Sequence, residues 1–168
     1  MARLPQRISR ISVSASVAGA QSPQQTRSSD SDEHDQSEAR SRAAIKAVLR
    51  SYEQALNAGD VQGVVKLYTD DAVVLPPNAP SAIGIDAVRA TYTGIFQAIH
   101  INLTFGIAEV NVVSPEWAFL RSNSNGTVTI LANGAQIPSS NHELFVLPKT
   151  RGCWKLARYS FSSVLPAA

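Results

Sequence analysis

Apolar residues recur at helical spacing early in the chain: Ile45, Val48, Leu49, Tyr52 and Leu56 fall three or four positions apart, on one face of a helix beginning near Glu38. Gly59 is placed to stop that helix, and Asp60 to cap a second, shorter one through Val64, Val65, Leu67 and Tyr68. The run Ala72 to Leu75 predicts a strand that Pro76-Pro77 ends, and 76–84 reads as loop. Asp86 is expected to cap a third helix whose stripe is Val88, Tyr92, Ile95, Phe96 and Ile99. After His100 the period shortens to two, with Ile101, Leu103, Phe105 and Ile107 alternating along a strand to Val113. Ser114-Pro115 breaks it, Trp117 to Leu131 follows, and Asn133-Gly134 signals a hairpin turn. Gln136 to Leu147 and Trp154 to Val164 complete an antiparallel set. Three helices followed by a meandering sheet predict an α+β domain whose sheet curls around the helices and leaves a cavity at one end.

Residues 1–37 break this pattern. They carry nine serines and few large apolar side chains after Val17, too little burial to offset the entropy of ordering, so a disordered tail is expected with the domain at 38–168. Arg3, Arg7 and Arg10 share helical spacing with Leu4, Ile8 and Ile11, the pattern of a mitochondrial presequence, while Ala18-Gly19-Ala20 mimics a secretory cleavage site. An untargeted tail on a cytoplasmic protein is the plainer expectation, and a mitochondrial address the alternative.

Composition narrows the function class. With 44% hydrophobic and 17% charged residues over 168 positions, the chain can bury one core, and it has no apolar run long enough to span a membrane. A net charge of +2 is too small and too scattered for a nucleic-acid surface. The single cysteine, Cys153, allows no internal disulfide and reads as a buried, inert thiol. Three dispersed histidines lack the short spacing of metal ligands, so neither metal nor other cofactor is expected, and no glycine-rich nucleotide loop is present.

The words that fill these elements resemble a known family. Tyr52-Glu53-Gln54-Ala55-Leu56-Asn57-Ala58-Gly59-Asp60, then Leu67-Tyr68-Thr69-Asp70-Asp71-Ala72-Val73-Val74, resemble the opening of the nuclear transport factor 2-like superfamily. Gly84-Ile85-Asp86-Ala87-Val88 is similar to its third-helix entry. Asn141 to Leu147 and Trp154 to Tyr159 resemble the last two strands of its SnoaL-like branch, which stands beside ketosteroid isomerase. The resemblance covers about residues 40 to 165 and implies a cone-shaped α+β barrel, a homodimer paired through the outer sheet face, and an interior apolar pocket.

In ketosteroid isomerase a carboxylate moves a proton beside a carbonyl while a tyrosine and a protonated aspartic acid hold the enolate oxygen. Tyr52 falls at that tyrosine, Asn141 at the aspartic acid, and Pro76 at the base, which proline cannot replace. A substitute proton carrier has to come from elsewhere, and the nearest candidates are Glu143 and His142, adjacent residues that strand alternation sends to opposite faces; Glu143 shares a face with Asn141 and Phe145. The competing role for Glu143 is an ion pair with Arg121 or Arg158. Tyr159 and Phe161, if inward, and Asn123 or Arg121 complete the candidate substrate contacts. The function expected is cofactor-free cyclase, isomerase or dehydratase chemistry on a small apolar carbonyl-bearing metabolite, such as a polyketide, terpenoid or steroid-like compound. A noncatalytic binding or dimerisation module of the same fold is the alternative.

Overall fold

The structure is a computed structural model, which describes the backbone of residues 25–165 and the side chains of 32–165. Three helices, α1 (Gln25–Ala58), α2 (Val61–Val65) and α3 (Ile85–Ala98), cover one face of a curved sheet. The strands are β1 (Tyr68–Leu75), β2 (Ala82–Ile83), β3 (Ile99–Ser114), β4 (Trp117–Ile130), β5 (Gln136–Thr150), β6 (Cys153–Trp154) and β7 (Leu156–Ser163). Their order is β2-β1-β7-β5-β4-β3, antiparallel except where β1 runs parallel to β7, with β6 pairing β5 to the side. This is the expected cone-shaped α+β fold, with helices packed on a mostly antiparallel open sheet.

Local chemistry sets the helix boundaries. Gly59 takes φ +65, which ends α1, and Asp60 Oδ1 accepts the Gly63 amide at 2.9 Å, capping α2 as expected. The expected cap of α3 is corrected: Gly84 occupies the N-cap without a side-chain bond, and Asp86 lies in the first turn, where its charge complements the helix dipole. The second helix also ends at Val65, earlier than expected, so Tyr68 opens β1 instead.

The expected boundary at residue 38 falls inside α1, whose helix begins at Gln25. That stretch has no apolar stripe to announce a helix. It continues α1 outward from the buried turns at Ile45 and Leu49 and is laced by local pairs: Arg42 Nε donates to Glu38 at 3.0 Å and Arg40 to Gln36 at 3.3 Å. The arginine stripe at positions 3, 7 and 10 lies outside the described residues. Among the described residues no helix is long and apolar enough to cross a membrane.

The core lies between α1, α3 and the inner sheet face. Ile45, Tyr52, Val64, Val88, Leu120, Phe145, Leu147 and Leu156 are fully buried, each aliphatic one stabilising by roughly 1.5–3 kcal/mol through area removed from water. The edge strand β3 is closed by α1: Asn57 donates to the Leu103 carbonyl at 2.8 Å and accepts its amide at 2.9 Å, and Glu53 accepts the Phe105 amide at 3.2 Å. These bonds occupy backbone groups that β4, on the other side, leaves unpaired. They also fix α1 against the strand that forms one wall of the cavity.

Candidate functional site

At one end of the core the sheet and helices diverge around an apolar cavity of about 180 Å³. Tyr52 and Leu56 of α1, Tyr92 and Ile95 of α3, and Ile101, Leu103 and Phe105 of β3 are among the residues of its wall. Pro76, Ser139, Asn141, Glu143, Tyr159 and Phe161 also line it, and Glu143 is the one carboxylate among the lining residues.

Glu143 faces inward because β5 alternates: Glu143, Phe145 and Leu147 are buried while His142 and Leu144 are exposed. It is 5% exposed and forms no ion pair among the described residues. The two arginines that competed for it are engaged elsewhere, Arg121 with Glu109 at 2.6 Å and Arg158 with Asp71 at 3.4 Å. Instead the Ser122 hydroxyl, directly across in the β4–β5 register, donates to Glu143 Oε2 at 3.1 Å. Burial pushes the carboxyl up to about 7, against the opposing pull of the Ser124 and Ser122 hydroxyls. A carboxyl that titrates near neutrality can both take and return a proton.

Tyr52, Tyr92 and Tyr68 bring their hydroxyls together from α1, α3 and β1. The Tyr92 oxygen sits 2.7 Å from that of Tyr52 and 2.9 Å from that of Tyr68. Three hydroxyl protons serve two mutual bonds, so one proton remains to donate. Tyr52 and Tyr92 both line the cavity, and a proton left on either can meet a ligand oxygen there. Burial raises all three phenols above their ordinary value, Tyr92 to about 12 because the bonds from Tyr52 and Tyr68 oppose the rise. Their neutral, donating form is therefore the one present at physiological pH.

Tyr159 is stacked between Phe145, at a centroid distance of 4.3 Å, and Phe161, at 5.2 Å, and meets the edge of Tyr52 at 5.7 Å. Burial, then the nearby Glu143 charge, raises its pKa. Asn141 directs its amide nitrogen to Ser124 at 3.1 Å and Ser139 at 3.2 Å. That arrangement differs from the donor role expected of it: both amide protons have partners and the carbonyl oxygen is the free end.

The remaining expected site residues lie on the other side of the sheet. Arg121, Asn123 and His142 are exposed and border a depression of about 400 Å³ on the outer face, together with Leu144, Ser160 and Ser162. The reason is the two-residue strand period, which sends Ser122, Ser124 and Glu143 inward when their neighbours point out. Cys153 is likewise corrected, being exposed while its neighbour Trp154 takes the buried position. Tyr68, Ser122, Ser124 and Ser139 are polar members that sequence reasoning did not place in the site. Among the described residues no group of three or more His, Cys, Asp or Glu gathers to hold a metal.

With this geometry in hand, known proteins place the chain. Residues 34–152 match the model of the SnoaL-like domain. A ketosteroid isomerase-like protein from Erwinia carotovora atroseptica is similar at 38% identity, over 74% of this chain and 96% of that one, with a TM-score of 0.71. Two more distant structures share the fold alone. A hexachlorocyclohexane dehydrochlorinase of type 2 is 13% identical over 80% of this chain and 93% of its own, with a TM-score of 0.69. An NTF-2 like protein of unknown function from Shewanella oneidensis is 18% identical over 72% and 98%, with a TM-score of 0.58. The cone, its interior cavity and the matched residues together make this chain a member of the SnoaL-like family.

Proposed function

We propose that this protein is a cofactor-independent acid–base enzyme, a cyclase, isomerase or dehydratase, acting on an apolar carbonyl-bearing metabolite of polyketide, terpenoid or steroid-like type. One observation carries the reading: Glu143, the one buried carboxyl among the described residues and without a cationic partner among them, shares an apolar cavity with a cluster of neutral tyrosine hydroxyls. Glu143 takes a proton from the carbon next to the carbonyl, and the electron pair moves onto the carbonyl oxygen. A hydroxyl of Tyr52 or Tyr92 donates to that oxygen as its charge develops, and Tyr159 lies beside it. Return of the proton from Glu143 to a different carbon completes an isomerisation; loss of a β-leaving group completes an elimination. His142 is left outside this scheme by its exposure.

Deuterium exchange at the α-carbon of a panel of cyclic ketones, followed by NMR, tests it without knowledge of the natural substrate. Glu143→Gln preserves shape and removes the base, so exchange should fall by roughly 100-fold or more with the fold intact by circular dichroism. Exchange at the unmutated rate in that variant would remove Glu143 from the mechanism.

A second reading is a noncatalytic binding module, favoured by Pro76, which lines the cavity at the position where the resembling isomerases carry their base. It is the reading to adopt if the unmutated protein binds ketones but exchanges none. Under both readings the protein is a homodimer through its outer sheet face, where Leu144 is 43% exposed, and sedimentation velocity reads that directly.

A further inference from the structure

The size of the cavity and the hydrogen-bonding groups left free in it restrict the ligand further than its family does. At about 180 Å³ the space within the cavity is only slightly larger than an engineered cavity of ~150 Å³ that admits benzene. It lies well below the roughly 300–1,000 Å³ of sites that bury a drug-sized molecule. One ring with a few substituents fills it. A fused tetracycle does not fit inside.

The polar groups on its wall differ in kind. At the tyrosine cluster one hydroxyl proton is surplus to the two mutual bonds, which calls for an acceptor such as a carbonyl oxygen. On β5 the Asn141 amide nitrogen is committed to Ser124 and Ser139, so the group left to a ligand is the amide oxygen, an acceptor. Glu143, two residues along the same inner face, accepts as well once ionised. These two groups call for a donor on the ligand, and a bare ketone has none. A hydroxyl near the carbonyl satisfies them.

We infer that the ligand is a compact hydroxycarbonyl compound of about one ring, bound with its carbonyl at the tyrosine cluster and its hydroxyl at Asn141 and Glu143. The inference rests on the reading of this cavity as the ligand site and narrows that reading to its smallest members. A polyketide or terpenoid of monocyclic size remains a candidate, and a steroid does not.

Methyl NMR of Ile95 and Ile101, which line the cavity, reads occupancy at the site itself. Three probes separate the elements of the inference: cyclohexanone, its β-hydroxy derivative, and progesterone. The β-hydroxy compound is expected to shift both methyl signals at about tenfold lower concentration than cyclohexanone, the gain of roughly one well-formed hydrogen bond. Progesterone is expected to leave them unmoved up to its solubility. Asn141→Leu should reduce the hydroxyl advantage while cyclohexanone binding persists. Equal binding of the two small ketones to the unmutated protein would overturn the hydroxyl assignment, and progesterone shifting the same methyls would overturn the size limit. If the hydroxy ketone binds but exchanges no deuterium through Glu143, the enzyme reading fails and this inference stands. If no probe moves either methyl, both fall together.

Discussion

At the scale of single residues, Tyr92 has the most dependents. Its hydroxyl holds those of Tyr52 and Tyr68, all three on buried rings. Tyr92→Phe keeps the ring in place and removes the oxygen that both neighbours use, leaving buried hydroxyls without partners. Such orphaned groups cost about 1–3 kcal/mol, so urea unfolding of the variant should show a lower midpoint at unchanged slope. An unchanged midpoint would mean that water reaches the trio. Little of this was legible beforehand. Tyr92 sits in a helical stripe with Val88 and Phe96, a pattern that reads as core whatever the hydroxyl does, and its partners come from elements 24 and 40 residues away. Glu143 was more legible because Phe145 and Leu147 anchor the inner face of its strand. Ser122 and Ser124 were not, since Arg121 to Asn125 is polar at every position and carries no inside–outside signal.

At the scale of elements, the β3–β4 pair depends on Gly126. A Cβ added there would stand 2.0 Å from the Asn102 carbonyl oxygen, a backbone atom that cannot move aside, and Gly126 holds φ +154. Gly126→Ala should therefore destabilise by about 3 kcal/mol or more, among the larger single-site effects, and thermal melting would show it. A shift of less than a degree or two would mean that β3 slides to make room. Element types were largely readable in advance, because their apolar periods are long and their punctuation is specific: Gly59-Asp60, Ser114-Pro115 and Asn133-Gly134 all sit at observed boundaries. The departures have identifiable causes. Strand β2 has two residues, too few for any period to show, and residues 32–40 of α1 include no buried position. The parallel contact of β1 with β7 joins segments whose sequences carry no record of each other.

For the whole molecule, the buried carboxyl couples acidity to stability. Glu143 has a folded-state pKa of about 7, above the ordinary value of 4.5 that an unfolded chain would show. A raised pKa means that the native state binds the proton more tightly. The contribution is thus fully present below about pH 4.5 and is lost as pH rises through about 7. On the order of 3 kcal/mol is involved, and Glu143→Gln should flatten this part of the profile while leaving the low-pH stability nearly unchanged. Chemical denaturation at a series of pH values measures it; parallel profiles for the two proteins would place the titration elsewhere. Activity should run the opposite way, since the base works ionised: kcat/KM should climb through neutrality as stability declines.

The parallel pairing of β1 with β7 has a consequence for how the molecule is made. Tyr68 pairs in register with Leu156, and Val74 with Tyr159, so the first strand waits for the last before its second edge is covered. During synthesis at about 5–20 residues per second, β1 emerges several seconds ahead of that partner. Through that interval the helices and β1 already carry the three tyrosines, yet the aromatic stack of Phe145, Tyr159 and Phe161 that closes the chamber has not been translated in full. The chemistry of the site is thereby tied to completion of the chain: a nascent protein carries its three hydroxyls for some time before it has its acid or a room to keep them in.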